Sequence, residues 1–205
     1  MILLSASDKI QVSKKGFRPD VSLSSAFTLI ELLVVISIIA VLASLALPAV
    51  TGALIKGQIN QTTSNYRQLY ILTQSASLDN VSGGGVGAFP GDLSNSITAW
   101  SNALVPAYCS SNTFSSLGAV KGRGSNTLVW FVKSADEPNT IFLSTAGIAG
   151  TSNNMNLAAT GPYQNKGGAF VTVGGSAITI TGTNSPTLTN GTGLISTNAS
   201  TPFGN

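Results

Sequence analysis

The stretch Ala26-Phe-Thr-Leu-Ile-Glu-Leu-Leu-Val-Val-Ile-Ser-Ile-Ile-Ala-Val-Leu-Ala-Ser-Leu-Ala-Leu-Pro-Ala-Val50 decides the fold. From Phe27 to Pro48 the sole ionisable side chain is Glu31, and the other polar groups are Thr28, Ser37 and Ser44. As a helix rising about 1.5 Å per residue, this run is about 33 Å long, enough to cross a hydrocarbon core of about 30 Å. A helix on the surface of a soluble protein keeps a polar face, and this one has none. The stretch reads as a membrane-crossing helix.

Glu31 sits near its start. A carboxylate at the bilayer centre costs on the order of 3 kcal/mol and is rarely kept there without a function. At a helix N-terminus the cost is smaller, and the helix dipole favours negative charge. A cut between Ala26 and Phe27 would create an ammonium one helical turn from Glu31. At an effective dielectric near 20, opposite charges about 4 Å apart attract by about 4 kcal/mol. In an assembly the ammonium could pair instead with Glu31 of a neighbouring helix, so cut and carboxylate together form an assembly code.

The run from Ala26 through Phe27, Thr28, Leu29, Ile30 and Glu31 to Ile36 resembles the cleavage and methylation motif of type IV prepilins and of type II secretion pseudopilins. The resemblance covers residues 26 to about 50, with a weaker likeness in the helix to about 80. It implies an α+β, pilin-like fold: a long N-terminal helix packed on a small β- and loop-rich head. It implies cutting after Ala26 by a prepilin peptidase, N-methylation of Phe27, and pairing of Glu31 with an adjacent subunit's amino terminus. Pro48 falls where many members carry a helix-bending proline. The family usually has Gly before the cut; Ala26 is small enough for the same peptidase site, so processing is still expected. The competing reading is a secretory signal peptide cut near Ser44-Leu45-Ala46. The apolar run exceeds the 7–15 residues typical of such a peptide, and Glu31 would be out of place in one.

The 205-residue chain then divides into a leader (1–26), a long helix (27–82, its 27–48 part in membrane or filament core) and a head (83–205) with a flexible tail from about 182. The leader carries Lys9, Lys14, Lys15 and Arg18 against Asp8 and Asp20, which keeps it cytoplasmic by the positive-inside rule. Lys14-Lys15-Gly16-Phe17 imitates the end of a prepilin leader, but Arg18-Pro19-Asp20 follows where an apolar run is needed. Of the whole chain's net charge of +3, much lies in this leader, so basicity says little about partners of the mature protein. No basic stripe with interleaved aromatics points to nucleic acid.

Beyond Pro48 the pattern becomes amphipathic, with Ile55, Ile59, Tyr66, Leu69, Leu72 and Ala76 on one face and polar residues including Asn65 on the rest. Pro48, Gly52 and Gly57 make residues 48–57 the expected place for bending or melting. Gly83-Gly84-Gly85 ends the helix. In the head, Phe89-Pro90-Gly91-Asp92 and Asp136-Glu137-Pro138-Asn139 read as turns. A short helix is expected from about Ser94 to Leu104, with Trp100 and Leu104 on one face. Asn126–Lys133 and Thr140–Leu143 read as strands, and residues 169–173 and 176–181 as a hairpin turned by Gly174-Gly175. Trp100 and Trp130 are expected in the core.

Catalysis has little to stand on. The chain has no histidine, and it lacks the Gly-x-Ser-x-Gly, phosphate-loop and Cys/His metal-binding patterns. No enzyme activity is expected and no cofactor is required; an oxygen-rich calcium site could draw on Asp92, Asp136 and Glu137, as some pseudopilin heads bind calcium. The single cysteine, Cys109, rules out an intramolecular disulfide and is expected to be buried. Asn-x-Ser/Thr patterns at Asn60, Asn80, Asn190 and Asn198 match by chance in so Asn-, Ser- and Thr-rich a chain.

The expected protein is a structural filament subunit. Its precursor would span the inner membrane once, head on the extracytoplasmic side, with a prepilin peptidase/methyltransferase, an inner-membrane assembly platform and other pilin-like subunits as partners. The missing disulfide and modest head favour a type II secretion pseudopilin. The alternatives are a type IV pilus subunit for adhesion, motility or DNA uptake, and a secreted binding domain behind a signal peptide.

Overall fold

Thr28 accepts the Glu31 amide on its hydroxyl, and Glu31 returns its carboxylate to the Thr28 amide, so the first helix starts here. This α1 runs Leu29–Ser82 in a computed structural model that describes residues 27–120, 127–146, 148–151, 154–157, 161–163, 166–181 and 200–203. The leader, residues 1–26, lies outside the described residues. The chain forms two units, residues 1–44 and 45–205, and α1 begins in the first and continues in the second. Residues 48–57, expected to bend or melt, are helical, although Pro48 has no N–H to donate within the helix. Three successive glycines stop α1. Gly84 takes a φ of +81°, and the amides of Gly84 and Gly85 bond to the carbonyls of Val81 and Asn80, a left-handed cap that needs no Cβ.

The head is built on five antiparallel strands in the order β6-β5-β2-β1-β7. Their spans are β1 Thr127–Trp130, β2 Ile141–Thr145, β5 Gly167–Thr172, β6 Ala177–Thr181 and β7 Ser200–Pro202. β3 (Ile148–Thr151) and β4 (Asn154–Leu157) form a separate hairpin that periodicity did not signal. Two short helices, α2 (Ile97–Leu104) and α3 (Ser111–Gly118), are capped by the side chains of Ser96 and Ser110. α2 falls inside the expected 94–104 window, shortened because Ser94 and Asn95 take positive φ before the Ser96 cap.

Within the second unit, α1 lies on one face of the sheet. Its buried residues Ile59, Thr62, Tyr66, Leu69, Thr73 and Ala76 alternate steps of three and four along one stripe. Val129, Leu143, Ala169 and Val171 pack in the same core, with Trp100, Phe114 and Phe203. The opposite sheet face carries a smaller cluster of Ile141, Phe170 and Ile180, against which Trp130 and Ile178 are half-buried. Asn65 is a correction to the expected polar face: it is buried, and its side-chain amide reaches the Ser116 carbonyl at 3.5 Å.

Three further expectations change. The β5–β6 turn is not a two-residue Gly-Gly loop. Thr172 pairs with Ser176, and Gly175, at φ +84°, closes a turn back to the Thr172 carbonyl; this three-residue loop needs a left-handed residue at its end. Ser200–Phe203, expected in a flexible tail, instead adds β7 to β1 and buries the Phe203 ring; residues 182–199 lie outside the described residues. Cys109, expected to be buried, is only partly so, on the wall of an apolar groove of about 350 Å³ beside Ile71, Leu72 and Leu117.

Candidate assembly site

Among the described residues nothing covers the helical run that carries the motif. Every large apolar side chain that is 47–82% exposed between Phe27 and Leu54 belongs to α1 or its first preceding turn, Phe27 at the upper end and Val34 at the lower. Among the described residues α1 is the one helix long and apolar enough to cross a membrane. Bare apolar surface on this scale marks a contact with lipid or with another chain. The few hydroxyls along it turn inward on the helix itself: Ser37 donates to the Val34 carbonyl at 2.7 Å and Ser44 to the Val41 carbonyl at 2.7 Å. Paired in this way, they present little unsatisfied polarity to an apolar surrounding.

Glu31 stands at the end of this surface. Its Oε2 accepts the Thr28 amide at 2.9 Å and the Thr28 hydroxyl at 2.7 Å, while the Glu31 amide donates to the Thr28 hydroxyl at 3.3 Å. Together these bonds make a capping box, with two orphan amides of the first turn satisfied by each other's side chains. The signal was present in sequence, since Thr28-Leu-Ile-Glu31 has the Ser/Thr-x-x-Glu spacing just before an apolar run. Phe27 lies outside the helix, immediately before the cap. Pro48 lies inside α1, where the Thr51 hydroxyl donates to its carbonyl at 3.0 Å.

In the head, the sequence-selected acids serve the loops. Asp92 accepts the Ser134 amide at 2.9 Å and Asp136 accepts the Lys133 amide at 2.8 Å, so both carboxylates staple the same turn after β1. Among the described residues no three His, Cys, Asp or Glu side chains gather where they could hold a metal ion, and Glu137 adds no third donor to this pair.

What sequence periodicity missed is how polar α1's buried stripe is. Thr62 meets the Tyr163 hydroxyl at 2.8 Å, the Tyr66 hydroxyl meets Thr127 at 2.8 Å, and Thr73 accepts the Trp100 indole N–H at 3.0 Å. Near the top of the helix, Tyr108 donates to Asp79 at 2.6 Å, and that bond holds its phenol above the usual tyrosine range. These cross-links fix the part of α1 from Thr62 to Asp79 in rotation and register against the head.

Residues 22–47 match the family pattern described as the prokaryotic N-terminal methylation motif, the hallmark of type IV pilin and pseudopilin precursors. No curated protein and no solved structure matches the chain.

Proposed function

We infer, from the premise that this chain carries the precursor motif of type IV pilins and pseudopilins, that it is a subunit of a type II secretion pseudopilus. In this reading the leader is cut after Ala26, the new amine of Phe27 is methylated, and α1 packs against sister helices. The observation that carries it is the methylation motif standing on a helical run, up to Leu54, whose large apolar side chains are bare. In the membrane that surface meets lipid; in a filament it meets other copies. Because lipid and a neighbouring helix are similarly apolar, transfer from one to the other costs little, and charge can decide the register. Glu31 supplies that charge by pairing with the amino terminus of an adjacent subunit. Pro48 removes one backbone hydrogen bond and so gives the helix a place to adjust as it packs.

The precursor spans the inner membrane once, leader in the cytoplasm and head outside. Its partners are the prepilin peptidase and methyltransferase, the assembly platform and other pilin-like subunits. The lone cysteine supports a pseudopilus over a surface pilus, since the head closes through β7 and Phe203 without a disulfide.

The test is the intact mass of the protein in envelopes and in filaments sheared from cells. A chain starting at Phe27, one methyl group heavier than unmodified and retained in the envelope, is expected. Abundance in the sheared fraction would assign it to a surface pilus, and a chain starting near Leu47 would discard the pilin reading. Glu31→Ala is expected to insert in the membrane but fail to join filaments; normal incorporation would sink the pairing.

A further inference from the structure

The sheet's two edges are β6 and β7, and residues 182–199 join them. From edge to edge is four strand spacings, about 19 Å at about 4.8 Å each. Residues 182–199 extend to at most about 60 Å, at about 3.3 Å per residue. The connection is far longer than the crossing needs. We propose that in the filament β7 is exchanged between copies: Ser200–Phe203 of one chain completes the sheet of the next, pairing with its β1 and filling its aromatic socket. This rests on the filament reading above.

Both halves of the contact are built. β7 lies antiparallel on β1, with Leu128 opposite Pro202, Val129 opposite Thr201 and Trp130 opposite Ser200. The Phe203 amide donates to the Thr127 carbonyl at 2.8 Å. By the alternation of an antiparallel ladder, the next pair, Leu128 and Pro202, exchanges no backbone bonds, so Pro202 needs no N–H there. The Phe203 ring is buried beside Trp100 and Phe114, in space that Gly118 leaves by having no Cβ. Every receiving group stands far from β7 in sequence, so a strand from another copy meets the same partners. Exchange therefore keeps each contact and costs little. Local concentration then decides between own and neighbour. A tether much longer than its span dilutes its own strand at its own edge. In a precursor dispersed in the membrane that edge has no competitor. In a filament the heads are packed together, a neighbour's edge competes, and each exchanged strand ties one head to the next.

The experiment uses full-length chains carrying Cys109→Ser, so that only introduced thiols react. Leu128→Cys and Pro202→Cys face each other across a pair without backbone bonds, where Cα atoms stand about 4.5 Å apart and suit a disulfide. The two substitutions are placed in separate chains expressed together. Sheared filaments and unassembled membrane precursor are oxidised with copper phenanthroline and run on non-reducing gels. A disulfide between the two chains at this pair forms only by exchange. The expected result is a linked dimer in filaments that is absent from the precursor. With both cysteines in one chain, filaments should give ladders of many chains, and precursor a monomer closed on itself. Filaments in which the separate chains stay unlinked, while the double-cysteine chain closes on itself, overturn the exchange and leave the filament reading standing. Absence of the wild-type chain from any filament overturns that reading, and the exchange with it. If the first pair resists assembly, Trp130→Cys with Ser200→Cys, the next pair of the same kind, makes the same comparison.

Discussion

The indole N–H of Trp100 donates to the Thr73 hydroxyl at 3.0 Å, and Thr73 in turn donates to the Leu69 carbonyl at 2.8 Å. Both side chains are fully buried, and the contact ties α2 to the last three turns of α1. Thr73→Val keeps the shape and strands a buried indole N–H. The expected loss is about 1–3 kcal/mol, read as a lower denaturant midpoint of the mature chain in detergent and a shifted Trp100 emission. Thr73→Ser keeps the acceptor and is expected to lose less. Equal stability of T73V and wild type would refute the account.

Tyr66 gives the chain an alkaline limit. Burial drives its phenol far above the usual tyrosine range. Its hydroxyl must donate to Thr127, because the Thr127 proton is taken by the Gly118 carbonyl. The folded state holds this proton more tightly than the unfolded state does. The resulting stability is complete below about pH 10, where an unfolded tyrosine begins to ionise, and falls as the pH rises further. Tyr66→Phe is expected to flatten that fall while costing about 1 kcal/mol at pH 8. Denaturant midpoints at pH 8 and 11 for both proteins check it.

Gly118 and Phe203 occupy one space. A Cβ on Gly118 would run into the Phe203 ring, which stacks near Phe114 and Trp100 with centroids 4.9 and 6.1 Å away. Gly118→Ala is expected to cost about 1–3 kcal/mol through overpacking, and Phe203→Ala about 3 kcal/mol through the cavity it leaves. The double variant should cost less than the sum, because removing the ring makes room for the methyl group. Strict additivity in thermal melts would argue against the contact.

Cys109 is expected to be a sluggish nucleophile. Burial pushes its thiol pKa up, so the reactive thiolate forms only at higher pH than in a free cysteine. Alkylation of the folded chain at pH 7.5 should be slower than that of a small free thiol. The gap should close in denaturant, and the rate should rise as the pH is raised. A folded-state rate equal to the free thiol at pH 7.5 would contradict this placement.

Local signals in the sequence led to the right elements where the physics is local. The short helix that carries Trp100 and Leu104, the Gly83–Gly85 stop, the Phe89–Asp92 turn and the β5–β6 hairpin all depend on residues a few positions apart. The Thr28–Glu31 capping box is equally local and was legible, but the apolar run drew the reading to charge instead of to capping. Hydrophobic periodicity underrated Thr62, Asn65 and Thr73, because a polar side chain is welcome in a core once a distant partner satisfies it. Those partners, Tyr163, Ser116 and Trp100, are 101, 51 and 27 residues away.

By itself the sequence determined the membrane-length apolar helix, the carboxylate near its start and the change to an amphipathic stripe past Pro48, since length, polarity and period are properties of neighbouring residues. Only the tertiary structure decided that β7 completes the sheet, that Phe203 fills the space beside Gly118, and that Cys109 lies on a groove wall. β7 is three residues long, and of Ser200, Thr201 and Pro202 only Thr201 favours a strand, too little to signal one from the sequence. Their place is set by the open edge of β1 and the aromatic cluster waiting beyond it, which exist only after distant parts of the chain have come together.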